Sequence, residues 1–209
     1  MSARWRLAIA AICLVAAAAL SLLATDVLRW QRAMRSSDTR FGFTPARNDL
    51  WQPTQLMPFG VARTVLRLDD DLAYRRGLQL FVLGQPRTQP YSDTEVIALR
   101  GQAQEVLTKV VDSHADARRR STAANLVGAL GFANAALDDA QATAYLNAAA
   151  ADFRTAISID PDNADAKYNL ELALARLDVA QRRSGEPPPP DTRGGSGAGA
   201  GTGRPGSGY

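Results

Sequence analysis

The sequence predicts an all-α fold: a membrane-spanning N-terminal helix, then an array of about five packed helices, then a tail without fixed structure. Three observations predict it. Residues 7–24 (LAIAAICLVAAAALSLLA) carry neither charge nor proline. From residue 68 to 183 apolar side chains recur at helical spacing between breaks rich in proline, glycine and aspartate. From residue 184 the chain turns to proline, glycine and serine, which cannot bury enough apolar surface to fold. The 209 residues therefore divide into a basic N-terminal tail (1–6), a transmembrane helix (7–25), a juxtamembrane helix with an irregular connection (26–67), one helical domain (68–183) and a disordered tail (184–209).

The apolar run is long enough to cross the hydrocarbon layer as a helix, which needs about 18 or more apolar residues. A cleaved signal peptide is the competing reading, because Arg4 and Arg6 form a basic n-region. Against cleavage, the run exceeds the usual h-region of about 7–15 residues, and Leu22-Leu23-Ala24 is not a small-x-small site. Arginines flank both ends (Arg4 and Arg6; Arg29, Arg32, Arg35 and Arg40), so the positive-inside rule is nearly balanced. A basic N-terminal region ahead of a long domain favours a single-pass protein with the domain extracytoplasmic.

Residues 27–35 continue the helix, with Trp30 and the arginines suited to the headgroup zone. Residues 36–63 read as irregular, with Pro45, Pro53, Pro58, Gly42 and Gly60. Phe41, Phe43, Leu50, Trp51, Leu56, Met57 and Phe59 make this stretch too apolar for a free linker. It is expected to lie across the domain, or else to touch lipid or a partner.

Asp69-Asp70-Asp71 opens the first domain helix, where acids favour the positive end of the helix dipole. Consecutive aspartates diverge around a helix, which argues for capping over a metal site. A break at residues 85–91 follows, with Pro86 and Pro90. Ser92 and Glu95 then give a capping-box pattern for a helix reaching about Ser113. Further helices are expected over residues 118–137, 140–159 and 164–183.

The 140–159 helix carries an informative spacing. Ala149, Phe153, Ala156 and Pro161 fit the A-x3-F…P half of a tetratricopeptide repeat, in which small residues let helices approach, the aromatic fills the gap and proline ends the helix. Tyr168 and Leu170 then open a following unit, with Glu171 where glycine is usual. Ala103, Leu107, Val110 and Ala115 repeat the spacing more weakly, and Gly77 and Gly128 stand at the small positions of the two preceding first helices. The result is a degenerate array of two repeats and a capping helix, longer per unit than the usual ~34 residues. A generic antiparallel bundle with one accidental match is the alternative.

The phrases DDDLAYRRGLQLF, RRRSTAANLVGALGF and FRTAISIDPDNADAKYNLELALARL together resemble a group of actinobacterial membrane-anchored proteins with degenerate tetratricopeptide regions. That resemblance covers about residues 68–177 and implies companionship with a MoxR-type AAA+ ATPase or a von Willebrand factor A domain protein, as in Bat-type systems. It implies no catalytic residues.

Chemistry is sparse. His114 is the one histidine and Cys13 the one cysteine, so Ser-His-Asp triads and His- or Cys-based metal sites cannot be built within one chain. His114 reads as solvated or capping, and Cys13 as apolar filler. No phosphate-binding loop occurs. A net charge of +3 does not mark a nucleic-acid binder. Arg118-Arg119-Arg120 reads as solvated or paired with nearby acids, with an acidic partner as the alternative, and Asp138-Asp139 as caps. The expectation is no enzyme, no cofactor, no metal and no small-molecule substrate, but a membrane-anchored scaffold or adaptor that binds protein. Its groove would be lined by Tyr74, Arg75, Gln79, Asn125, Lys167 and Asn169. The other expectation is a structural subunit or spacer of a larger membrane complex, assembled through the apolar residues between Phe41 and Phe59.

Overall fold

The computed structural model describes residues 3–85 and 93–184, and every regular element among them is helical. The helices are α1 (Ala3–Phe43), α2 (Val61–Val65), α3 (Leu68–Leu83), α4 (Asp93–Ser113), α5 (Ala117–Ala135), α6 (Ala142–Ile159) and α7 (Ala164–Ser184), with a 3-10 turn at Pro58–Gly60. The proline-containing break at residues 86–91, the Ser92 cap and the Pro/Gly-rich tail beyond residue 184 lie outside the described residues.

α1 is a single helix of 41 residues, about 60 Å long at 1.5 Å per residue. Among the described residues it is the one helix long and apolar enough to cross a membrane, a test that a signal sequence also passes. Every residue from Ala3 to Leu22 is exposed. Beyond the apolar run one face turns inward, burying Asp26, Trp30, Met34 and Ser37.

Here the structure corrects the expected boundary. Residues 36–43 are helical rather than irregular, and the break begins at Thr44. Residues such as Ser36 and Thr39 favour breaks because their hydroxyls compete for backbone groups. Within α1 those hydroxyls bond back along the helix instead, Ser36 Oγ to Ala33 O at 3.2 Å and Thr39 Oγ1 to Arg35 O at 3.2 Å. Pro45, with no N–H to donate, follows the end of the helix.

α3 to α7 pack in sequence as antiparallel neighbours. α3 also touches α5, and α5 touches α7. These three make one row, with α4 and α6 lying against it. Two glycines set the approach between rows. A Cβ at Gly77 would stand 2.6 Å from Leu107 Cδ2, and one at Gly128 would stand 2.6 Å from Phe153 Cε1. Ala103, Leu107 and Val110 on α4 are buried at the same spacing as Ala149, Phe153 and Ala156 on α6. Each hairpin thus sets a glycine of its first helix against the bulky buried residue of its second. Full burial of a side chain such as Leu107 or Phe153 contributes about 1.5–3 kcal/mol.

Polar stitches fix the register of α7. Asn163 caps it by accepting the Ala166 N–H at 3.0 Å, and its Nδ2 donates to Ser121 Oγ at 2.8 Å. Ser121 in turn donates to Ala156 O at 2.7 Å, near the end of α6. The turn containing Pro161 is therefore held to α5 by hydrogen bonds that satisfy buried groups. Pro161 itself is exposed and Leu170 half-buried, while Tyr168 points outward with 66% of its surface exposed.

Candidate partner-binding surface

The six residues expected to line a groove lie on the row α3, α5 and α7, but they do not form one open surface. At the α3 end the chain's own connection covers the row. Gln79 is buried, and its Nε2 donates to two backbone carbonyls, Pro45 O at 2.8 Å and Arg47 O at 2.9 Å. Arg76 Nη1 completes the set by donating to Gln79 Oε1 at 2.7 Å. The amide thus holds two carbonyls of the turn that follows α1.

Arg75 is equally engaged. Its guanidinium reaches Asp38 through Nε (2.9 Å) and Nη2 (3.0 Å), and Asp71 through Nη1 (2.8 Å). The two-pronged Arg75–Asp38 contact is the strong geometry for such a pair, and it ties the end of α1 to α3. Trp51 closes the arrangement. Its backbone sits in the left-handed region (φ 57°), a strained choice for a large residue, and its N–H donates to Ser37 Oγ at 3.0 Å. Its indole Nε1 donates to Asp38 Oδ1 at 2.7 Å, and its ring lies 5.5 Å from that of Phe41. Burial pushes the Asp38 carboxyl up, but hydrogen bonds from Arg75 and Trp51 outweigh it, and the group titrates below the usual carboxylate range.

Tyr74 is half-buried, which raises its phenol, with Thr122 hydrogen bonding working the other way. The Arg119 guanidinium lies 5.5 Å from its ring centre and also pairs with Asp71. The aspartates expected as caps sit in the first turn of α3 but do not cap it: the N-cap is Arg67 with no side-chain cap bond, and Asp69 pairs with Arg63 and Asp71 with Arg75 and Arg119. Of the arginine run, Arg120 donates to Val111 O at 2.8 Å. His114 is buried rather than solvated, its Nδ1 accepting the Asp116 N–H at 3.0 Å. Asp138 accepts the Gln141 N–H at 3.2 Å within the turn before α6, whose N-cap is Gln141 with no side-chain cap bond.

Asn125 and Asn169 meet each other between α5 and α7, Asn169 Nδ2 donating to Asn125 Oδ1 at 2.9 Å. Lys167 is exposed. Beside it, α7 presents Tyr168, Leu172 and Val179 outward at helical spacing. At the far end of α7 a cleft of about 450 Å³ opens between α5, α6 and α7, lined by Phe132, Leu146, Arg176, Val179 and Arg183. Arg176 lies over the Phe132 ring at 5.9 Å.

Asp26 and Asp38 were not marked by the sequence, while Trp51 was noted only as one apolar residue of its segment and Arg119 only as part of a basic run. Trp51 gave a signal, since a tryptophan in a segment with three prolines demands burial. The two aspartates gave none, because Leu56 and Met57 lie 30 or more residues from Asp26, and Trp51 and Arg75 lie 13 and 37 residues from Asp38. Comparison with protein-family models, curated proteins and solved structures finds no match for this chain.

Proposed function

We propose that this chain is a single-pass membrane protein whose tetratricopeptide-like helical domain acts as a protein-binding scaffold or adaptor beside the bilayer, with no catalytic role. The observation that carries the reading is the outward stripe of α7. Tyr168, Leu172 and Val179 stay exposed on the last helix of the row, next to the cleft lined by Phe132 and Leu146. A helix of this kind normally buries such a stripe against a neighbour, and stacked helical repeats offer such faces to partners. The glycine-against-bulk packing repeated in two hairpins supports the tetratricopeptide-like reading. The resemblance noted above names the first partners to try, a MoxR-type AAA+ ATPase or a von Willebrand factor A domain protein.

The α3 end of the row is filled by the chain itself, so the proposed dock is shifted toward α7. The filled end also favours a second reading, a structural subunit whose domain is braced against its anchor. One experiment separates them. The full-length protein is captured from crosslinked native membranes beside a variant carrying Lys167→Glu and Tyr168→Ala. The expected result is an AAA+ ATPase or von Willebrand factor A protein captured by the native chain and lost in the variant, with helical content unchanged. A partner retained by the variant would favour the structural subunit.

A further inference from the structure

We infer that the protein touches the bilayer at a second place: the loop at residues 54–58, with Leu28 of α1, rests in the lipid interface on the domain's side of the membrane. The inference builds on the reading of α1 as a membrane span.

Depth follows from counting along α1. The hydrocarbon layer is about 30 Å thick and takes about 20 helical residues to cross. The uncharged stretch between Arg6 and Asp26 covers residues 7–25, about 28 Å at 1.5 Å per residue. With Arg6 at one edge of the hydrocarbon, Asp26 therefore lies at the other, and any tilt of the helix carries it deeper.

The structure pins the loop at that same depth. The Asp26 carboxylate accepts the Leu56 N–H at 2.8 Å and the Met57 N–H at 2.7 Å, and the Asp26 side chain is fully buried. A carboxylate at the edge of hydrocarbon is costly unless its charge is met by donors. Here the loop supplies two backbone donors and covers the group. Leu23, which belongs to the apolar run itself, packs against the cluster of Trp30, Met34, Leu50, Trp51 and Ala62. Domain and span therefore overlap in depth.

What the loop turns outward suits lipid. Leu56 keeps 45% of its surface exposed and Leu28 51%, both within about one helical turn of the hydrocarbon edge. Arg29, one turn above, reaches the Thr54 carbonyl at 3.4 Å and stands at headgroup depth, where arginine is at home. Apolar side chains at this depth lie in the acyl boundary, as those of interfacial segments do.

The test uses the full chain in vesicles of phosphatidylcholine and phosphatidylglycerol. Cys13→Ala removes the native thiol. Leu56→Cys, Phe43→Cys or Leu14→Cys then carries an environment-sensitive fluorophore. Leu56 and Phe43 are both exposed, and Leu14 lies on the exposed apolar run, so labelling leaves the core alone. Phe43 stands about 25 Å above Asp26 along α1 and reports water. The expected result at Leu56 is strong quenching by lipid carrying a nitroxide near its headgroup, with iodide quenching several-fold weaker than at Phe43. If Leu56 matches Phe43 in both, while Leu14 is quenched by a nitroxide near the chain end, the second contact is overturned and the span stands. If Leu14 also escapes lipid quenching, the span fails and the second contact falls with it.

Discussion

At Gly128 an added Cβ would lie 2.6 Å from Phe153 Cε1 and 2.8 Å from Cδ1, pressed against a ring that is itself fully buried. Gly101, on the exposed face of α4, has nothing within 4 Å of the same atom. Identical changes should therefore have opposite signs. Gly101→Ala gains helix propensity and should stabilise by up to about 1 kcal/mol. Gly128→Ala gains the same propensity but overpacks the α5–α6 contact, which costs about 1–3 kcal/mol, so its net effect should be destabilising. Thermal melts of the two variants beside the parent check both signs, and a stabilised Gly128→Ala would show that the helices part freely. The Gly128 position was legible from its spacing. Its partner Phe153 was legible from the A-x3-F pattern. That the two touch was not, since nothing local states which helices pair.

Among the elements, α4 and α7 show how far local signals reach. α4 ends at Ser113 and α7 starts at Ala164 after its Asn163 cap, where helix periodicity and turn chemistry agree. α1 shows where they fail. Ser36, Ser37, Asp38 and Thr39 read as a break, yet each has a use inside the helix. Two hydroxyls bond backward, Ser37 takes the Trp51 N–H, and Asp38 takes Arg75 and the Trp51 indole. Tertiary partners override local preference there. Because the folded Asp38 carboxyl titrates below its unfolded value, the stability it adds is present above the ordinary aspartate pKa of about 3.9 and is lost as pH falls through the folded value. Asp38→Asn should therefore melt earlier than the parent at neutral pH, and the gap should close in acid. A gap independent of pH would show that the charge does not matter. Half of the Asp38 side chain is exposed, so solvent screens the pair and the gap should be modest.

Across the whole molecule, α5 sits at the centre, packed by α3, α4, α6 and α7 and burying Ala123, Ala124, Val127 and Leu130. Opening it requires breaking both rows at once, whereas among the described residues α7 packs mainly on α6 and less on α5. Amide exchange should accordingly be slowest in α5 and its partner α6 and fastest in the last turn of α7; slowest exchange in α7 would contradict this layering. The all-helical class and the five helices after α3's acidic start were readable from periodicity. The expected groove was readable only as a row of residues. Gln79 and Arg75 stand on that row, but a segment more than 30 positions earlier occupies them. Sequence spacing says which way a side chain points along its helix, and not what has already come to rest against it.

Asp26 and Asp38 grip the rest of the protein at two heights on one unbroken helix, about 18 Å apart. Two points of attachment leave no swivel. If α1 turns about its axis, the outward stripe of α7 swings through the same angle. On the proposed reading of α1 as a span and of α7 as the dock, the bearing of the docking face then follows the rotational setting of α1.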